Sequence, residues 1–500
     1  MFNTLKNEKT MIKKYIAIAL IALTATACSE DLMDRINEDK ANPSAEIVSG
    51  KYIIPGAIMN TAHSTVSGNY AWYVSSFTEQ EFGTGNNQLK NAEIRNTNEY
   101  SASSCFNNEW NATYSTMRAL KEAIDKCNAG EMNEGCSDIR GISQVLMALN
   151  LGILTDLHGD VPYSEALKGL DNLQPKLDKQ EDIYKSIFDL LDDAVTNLSE
   201  GVQTVGSSDI LFGGNNEAWI GLAYALKARY KLHLALRDSK AYDDAIEAAN
   251  AAIAAGFDGA ELDVFDGVST DNPWAAFFWS RYYTGSSQTV VDLMADRNDP
   301  RLDVYALDFW GTGVTYASPG DAVAAGATYL VGGPAWLDNG AATIHLMSAS
   351  ELYFILAECK ARNGLDASDD FETAVRASFA DFENSDPGYT DFDSSSAASY
   401  IATLPVTLKE IMVQKYLSQV RDEQIEAYND IRRCKALGEN HIELKNPKNT
   451  ASTGSTWPLR LPYGSSDVLS NPNVSAAFGT GNAAGSYIFT ENVWWAGGSR

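Results

Sequence analysis

Apolar side chains recur at spacings of three and four residues through long stretches of this chain, the period of a helix that buries one face. Val145, Leu146, Leu149, Ile153 and Leu157 make such a stripe over 141–158. Ile183, Tyr184, Ile187, Leu190, Leu191 and Leu198 make another over 181–198. A third helix is expected from Trp219 to Leu236, opened by the polar cluster Asn215-Asn216-Glu217. Ala and other small residues recur in it and let a partner helix approach closely.

A repeat follows. Tyr242-Asp243-Asp244-Ala245-Ile246-Glu247-Ala248 matches Phe371-Glu372-Thr373-Ala374-Val375-Arg376-Ala377, each reading aromatic, two variable positions, Ala, aliphatic, one variable position, Ala. Each copy follows another amphipathic helix, over 217–236 and 349–363, and Gly256 stops the first. Helix pairs of this kind read as tetratricopeptide-like units that stack sideways around a shared core. Two tracts break the helical period. Residues 257–340 are rich in Gly, Asp, Trp, Tyr and Phe, and a second irregular stretch runs from about 436 to 500. Irregular tracts this long are usually functional or pinned to a scaffold. The expected fold is mainly α, a tetratricopeptide-like helical-repeat scaffold carrying a loop-rich ligand-binding subregion.

The first residues have a different character. Lys13 and Lys14 precede the apolar run Ile16–Leu23 and small residues lead to Cys28, the layout of a secretory signal over residues 1–27. The run is far shorter than the roughly 20 apolar residues a membrane span needs. Ala25-Thr26-Ala27-Cys28 resembles a bacterial lipobox, with Ala25 where Leu is usual. On that resemblance Cys28 becomes the acylated first residue, residues 28–45 a lipidated tether, and 46–500 the folded domain. Ser29-Glu30-Asp31 is similar to the acidic surface-export tag of Bacteroidetes lipoproteins.

Charge narrows the partners. Without residues 1–27, which hold Lys6, Lys9, Lys13, Lys14 and Glu8, 34 basic and 65 acidic side chains remain, a net charge of −31. That disfavours nucleic acid, whose phosphates need a basic surface, and electrostatic adhesion to anionic lipid. Besides Cys28 there are Cys105, Cys127, Cys136, Cys359 and Cys434. Cys127 and Cys136 bracket a polar, Gly-containing loop and are candidates for a disulfide in an oxidising compartment. Cys359 and Cys434 lie in helical patterns and read as buried small apolar residues. No zinc-type spacing occurs, and neither a metal nor a cofactor is expected.

Catalytic signatures are sparse. Asp156-Leu157-His158-Gly159-Asp160 places two carboxylates around a histidine, a set able to serve acid–base work or metal ligation. Its position favours a helix end, with Gly159 as stop and Pro162 beyond. Glycoside hydrolysis needs two carboxyls facing across a bond, and an acidic chain always supplies some pair, so a secreted hydrolase stays open as the less favoured reading. HExxH, GxSxG and Walker patterns are missing. Phe82-Gly83-Thr84-Gly85-Asn86 and Phe478-Gly479-Thr480-Gly481-Asn482 read as turns. The aromatic tracts say more: Tyr70-Ala71-Trp72-Tyr73, then Trp274, Phe277, Phe278, Trp279, Tyr282 and Tyr283, then Trp310, Tyr316, Tyr329 and Trp336. Flat rings with a polar tip suit the C–H faces and hydroxyls of sugars, or the side chains of peptides. Trp72, Tyr73, Trp274, Trp279, Tyr283 and Trp336 are the expected stacking surfaces, with no catalytic residue assigned.

Several segments together resemble the SusD/RagB family of outer-membrane nutrient-binding lipoproteins. They are GDVPYSEAL at 159–167 with Pro175 and Gln180-Glu181-Asp182-Ile183-Tyr184, Asp209-Ile210-Leu211-Phe212-Gly213-Gly214 leading to Trp219 and Leu226-Lys227-Ala228-Arg229-Tyr230, and Asn298-Asp299-Pro300-Arg301-Leu302. Ser348–Ile355, Ala357-Glu358, Tyr428–Arg433, Leu459–Tyr463 and Val493-Trp494-Trp495 complete the order. The resemblance implies tetratricopeptide-like helices with a loop-rich binding half, no catalysis, and a lid over a SusC-like TonB-dependent transporter. The implied cargo is an oligosaccharide or, in some branches, a peptide. It also implies that Asp156, Trp219, Arg229 and Arg432 are scaffold. The implied location is the cell surface, held to the outer membrane by the lipid on Cys28.

Overall fold

Local capping chemistry decides where the helices begin. Asn215 Oδ1 accepts from the amides of Glu217 at 3.0 Å and Ala218 at 3.4 Å, satisfying donors that a first helical turn leaves open. Ser348 Oγ does the same for Glu351 N at 2.9 Å, and Thr407 Oγ1 for Glu410 N at 3.3 Å. Gly159 and Gly256, both at positive φ, follow helix ends as the sequence implies. The computed structural model describes residues 48–83, 88–95, 97–281, 284–319, 331–445 and 457–500. Cys28, Tyr283 and the tether lie outside the described residues, as do Tyr282 and Tyr329.

The longer helices are α1 Asn107–Asp125, α2 Ser137–His158, α3 Gln180–Leu198, α4 Asn216–His233, α5 Ala241–Ala254, α6 Ala349–Arg362, α7 Ser368–Ser385, α8 Leu408–Ser418 and α9 Gln424–Ala436. Neighbours in sequence pack side by side from α1 to α5, α6 packs on α5, and α7 and α8 flank α6. Both copies of the repeated heptapeptide fall in the second helix of a pair, α5 and α7. The mainly α, tetratricopeptide-like scaffold is therefore present. Small residues set its spacing: a Cβ on Gly152 of α2 would lie 2.1 Å from the Tyr230 hydroxyl of α4. Two small antiparallel sheets tie in the rest, β1 Glu81–Gly83 with β3 Thr284–Ser286 and β2 Ala260–Leu262 with β4 Ile344–Met347. Residues 49–500 make one unit.

One expectation is refined, one corrected and one upheld. The 257–340 tract is less irregular than its composition suggests, holding helices Pro273–Arg281 and Gln288–Ala295 besides β2 and β3. Cys127 and Cys136 are free thiols, and Cys127 Sγ lies 3.3 Å from Ala123 O. Cys359 and Cys434 are buried, as their helical positions imply. Among the described residues no helix is long and apolar enough to cross a membrane.

Charged residues lie deep in the stack. Arg229 of α4 clasps Glu351 of α6 through two nitrogens, one at 2.6 Å, with both side chains almost fully buried. Seven residues along α6, Glu358 receives Arg433 at 2.6 and 2.8 Å, Arg362 at 2.8 Å and Lys415 at 3.3 Å. Burial alone would push the Glu358 carboxyl up; the cations of Arg433, Lys415 and Arg362 overturn that and hold it well below the usual carboxylate range. Removing one partner of such a pair strands a buried charge. Glu351→Gln is therefore expected to lower unfolding free energy by about 3 kcal/mol, read as a reduced urea midpoint with an unchanged slope; a midpoint within error of the parent contradicts this.

Candidate functional site

Asp156 and His158 sit at the end of α2 and are fully buried. Asp156 accepts from Tyr184 Oη at 2.5 Å and Trp495 Nε1 at 2.9 Å. Its second oxygen lies 3.2 Å from His233 Nδ1, while His233 Nε2 is 2.9 Å from Glu426. Burial opposes charge on His233, but Asp156 and Glu426 outweigh it and raise its pKa to about 9. His158 is held by the Tyr70 hydroxyl at 2.9 Å; burial first, and Arg460 second, push its pKa down to about 3, so it is neutral. Asp160 takes the Gln180 amide and the Lys179 ammonium, at 2.9 and 2.8 Å. These residues join α2 to α3, α4 and α9, and all but Lys179 are buried. Arg432 and Trp219 are scaffold in the same sense: Arg432 donates to Asp156 O at 2.8 Å, and Trp219 Nε1 to Asp209 at 2.7 Å.

Among the described residues, two clusters bring three ligand-type groups together. In Asp156–His233–Glu426 the imidazolium has both nitrogens committed to carboxylates and no lone pair for a metal. In Cys434–Glu439–His441 both Glu439 oxygens accept from Arg362 at 2.8 Å, which puts a fixed cation where an ion would need room.

The expected stacking rings divide. Helix Pro273–Arg281 points Trp274, Phe277 and Phe278 inward at helical spacing and leaves Ala276, Trp279 and Ser280 exposed. Trp72, half-buried on helix Asn69–Phe77, lies flat on Phe277 at 4.0 Å and edge-on to Trp274 at 6.2 Å. Tyr73 packs edge-on against Phe106 at 4.8 Å, and Trp336 against Phe382 at 5.3 Å. Tyr73, Trp274 and Trp336 are thus core rings with no face for a ligand, and Trp72 belongs to the joint between two helices. Trp279, 46% exposed, is the one of the six with a ring open to solvent among the described residues.

Around Trp279 the chain assembles a surface that its sequence position alone does not reveal. Trp310 lies edge-on to it at 6.0 Å, and Phe309 sits 6.3 Å from Tyr389, which is 50% exposed. Asp338 couples the two exposed rings: Oδ1 accepts from Trp279 Nε1 at 2.7 Å and Oδ2 from the Tyr389 hydroxyl. That bond raises the Tyr389 pKa to about 12 and keeps the phenol a donor at neutral pH. Tyr389 and Tyr316, 38% exposed, line a surface groove with Leu302, Asp303, Thr390 and Asp391. It holds about 1140 Å³, the solvent at its mouth included.

The loops at its edges are fixed by their own aspartates. Asp308 accepts from the amides of Trp310 at 3.3 Å, Thr312 at 3.0 Å and Gly313 at 2.6 Å, which hold its carboxyl below the ordinary range. Asp386 accepts from Gly388, Tyr389 and Thr390 amides at 3.1, 2.8 and 3.0 Å. Tyr389 escapes sequence reasoning because it stands alone in a turn; Asp386-Pro387-Gly388 ahead of it was the available signal.

Comparison with known proteins places this geometry. A family model described as SusD-like, starch-binding associating with outer membrane, matches residues 48–464. A SusD/RagB family protein from Bacteroides thetaiotaomicron shares 34% identity over 91% of this chain and 100% of its own, with a TM-score of 0.81. A chitin-binding protein aligns at 22% identity over 89% and 99% of the two chains, TM-score 0.69. A chitin-binding SusD homolog from Flavobacterium johnsoniae aligns at 19% over 89% and 98%, TM-score 0.66. The last two likenesses are of fold. No curated protein matches the chain. The chain belongs to the SusD-like family of outer-membrane-associated proteins.

Proposed function

We propose that this protein binds nutrient oligosaccharides at the cell surface and delivers them, chemically unchanged, to a SusC-like TonB-dependent transporter. The observation that carries the reading is the exposed ring pair of Trp279 and Tyr389, locked by Asp338 beside a groove that Tyr316 also lines. Sugar rings present C–H faces to such planes, and the polar tips of Tyr and Trp serve their hydroxyls. Prior locking of the rings lowers the entropy lost on binding. A family described as starch-binding and two chitin-binding structural neighbours support a carbohydrate cargo. A binding role without chemistry is supported by the complete burial of Asp156 and His158 and by their bonds to Tyr184, Trp495 and Tyr70.

Calorimetry against neutral glucan and chitin-type hexamers, with a peptide panel alongside, tests the cargo. Trp279→Ala with Tyr389→Ala is expected to weaken glycan affinity at least ten-fold, about 1.4 kcal/mol, with melting temperature little changed. Trp274→Ala is expected instead to cost about 3–5 kcal/mol of stability, as deleting a core aromatic does. Binding of peptides alone, or unchanged glycan affinity in the Trp279/Tyr389 variant, overturns the reading.

The anchor belongs to the same proposal. Cys28 carries the lipid that holds the protein to the outer membrane, more than one chain being needed for durable attachment. Cells expressing Cys28→Ser are expected to lose radiolabelled-palmitate incorporation and release the protein into the soluble fraction; retained label at the membrane refutes the assignment.

A further inference from the structure

The groove beside Trp279 carries charge of one sign. Asp303, Asp308 and Asp391 line it, and no lysine, arginine or histidine does so among the described residues. Asp308 is spent on the amides of its own loop. Asp303 and Asp391 are exposed, and among the described residues neither belongs to an ion pair. Both line the same recess as Tyr316 and Tyr389, so a ligand held there by those tyrosines shares the recess with them. Asp338 adds a further carboxylate at the junction of Trp279 and Tyr389, its oxygens already occupied.

We infer that the groove selects oligosaccharides by charge, taking amino sugars with free ammonium groups in preference to their neutral counterparts and rejecting polyuronates. This rests on the oligosaccharide reading above and deepens it. Ring stacking supplies contact that is indifferent to charge, because every pyranose offers C–H faces. Discrimination then comes from Asp303 and Asp391, whose attraction for a cation is partly screened by water and falls with salt. A uronate entering the same recess meets like charge with no lysine, arginine or histidine among the described lining residues to offset it, and the acidic chain as a whole adds to the repulsion.

The test is calorimetry on the full folded domain at pH 6 and low salt, where side-chain carboxylates are ionised. The probes are hexamers of glucosamine, N-acetylglucosamine and galacturonate, with hexalysine as a cationic peptide. The glucosamine hexamer is expected to bind about three- to ten-fold tighter than the N-acetylated one, to lose that margin in about 0.5 M salt, and to outbind hexalysine; galacturonate is expected not to bind. Asp303→Asn with Asp391→Asn is expected to equalise the two amino-sugar hexamers with the melting temperature unchanged. Equal affinities in the parent protein, or a margin that survives the double substitution, overturn charge selection and leave oligosaccharide binding standing. Tighter binding of hexalysine than of every hexasaccharide overturns both.

Discussion

Two carboxylates on one helix organise this molecule. Glu351 and Glu358 sit seven residues apart on α6, both buried; Glu351 is met by Arg229 of α4, and Glu358 by Arg433 of α9 and by Arg362 of α6 itself. Arg229 links α6 to α4, Arg433 links it to α9, and Lys415 links it to α8 while also reaching Asp430 at 2.8 Å. A buried charge without its partner is expensive, so these helices have one mutual arrangement in which every charge is answered. Apolar packing fills the stack, and the ion pairs tie α6 to α4, α8 and α9 across it.

That arrangement of helices reaches the groove through chain connectivity. Asp338 lies just before β4, which leads into α6; α7 follows, and its end delivers Asp386 and Tyr389. The α6–α7 hairpin therefore carries Asp338 out on one side and returns Tyr389, 51 residues later, to meet it. Asn339 Nδ2 closes the seam by donating to Ser385 O at 3.1 Å. Helix Pro273–Arg281, anchored by Trp274 and Phe277 against Trp72, brings Trp279 to the same carboxylate from a third direction. Buried aromatics hold the exposed one in place, a division of labour between neighbouring residues of one short helix.

The scaffold was legible because it follows local rules. The stripes at 141–158 and 181–198, the Asn215 cap, the Gly159 and Gly256 stops and the repeated heptapeptide all fall where periodicity and capping put them. The groove and the ring pair beside it were not, because their parts come from 279, 303, 316, 338 and 389–391 and meet only through tertiary packing. Within 273–281 the helical period was present, and reading it would have separated Trp274, inward, from Trp279, outward. Trp336 and Tyr73 carry no such signal: an aromatic in an irregular tract looks the same from sequence whether its faces meet a ligand or Phe382 and Phe106. The Asp156–His158–Asp160 group shows the converse, a catalytic-looking cluster whose spacing serves helix joining.

If prior locking of the rings by Asp338 is what makes this surface a binding site, its removal must cost affinity without costing the fold. The direct measurement is calorimetry of Asp338→Ala against whichever neutral hexasaccharide binds the parent protein, paired with its melting temperature. The account predicts a several-fold loss of affinity with an entropic penalty and an essentially unchanged melt. Parent-like affinity in a variant whose Trp279 and Tyr389 have lost their shared acceptor would contradict it.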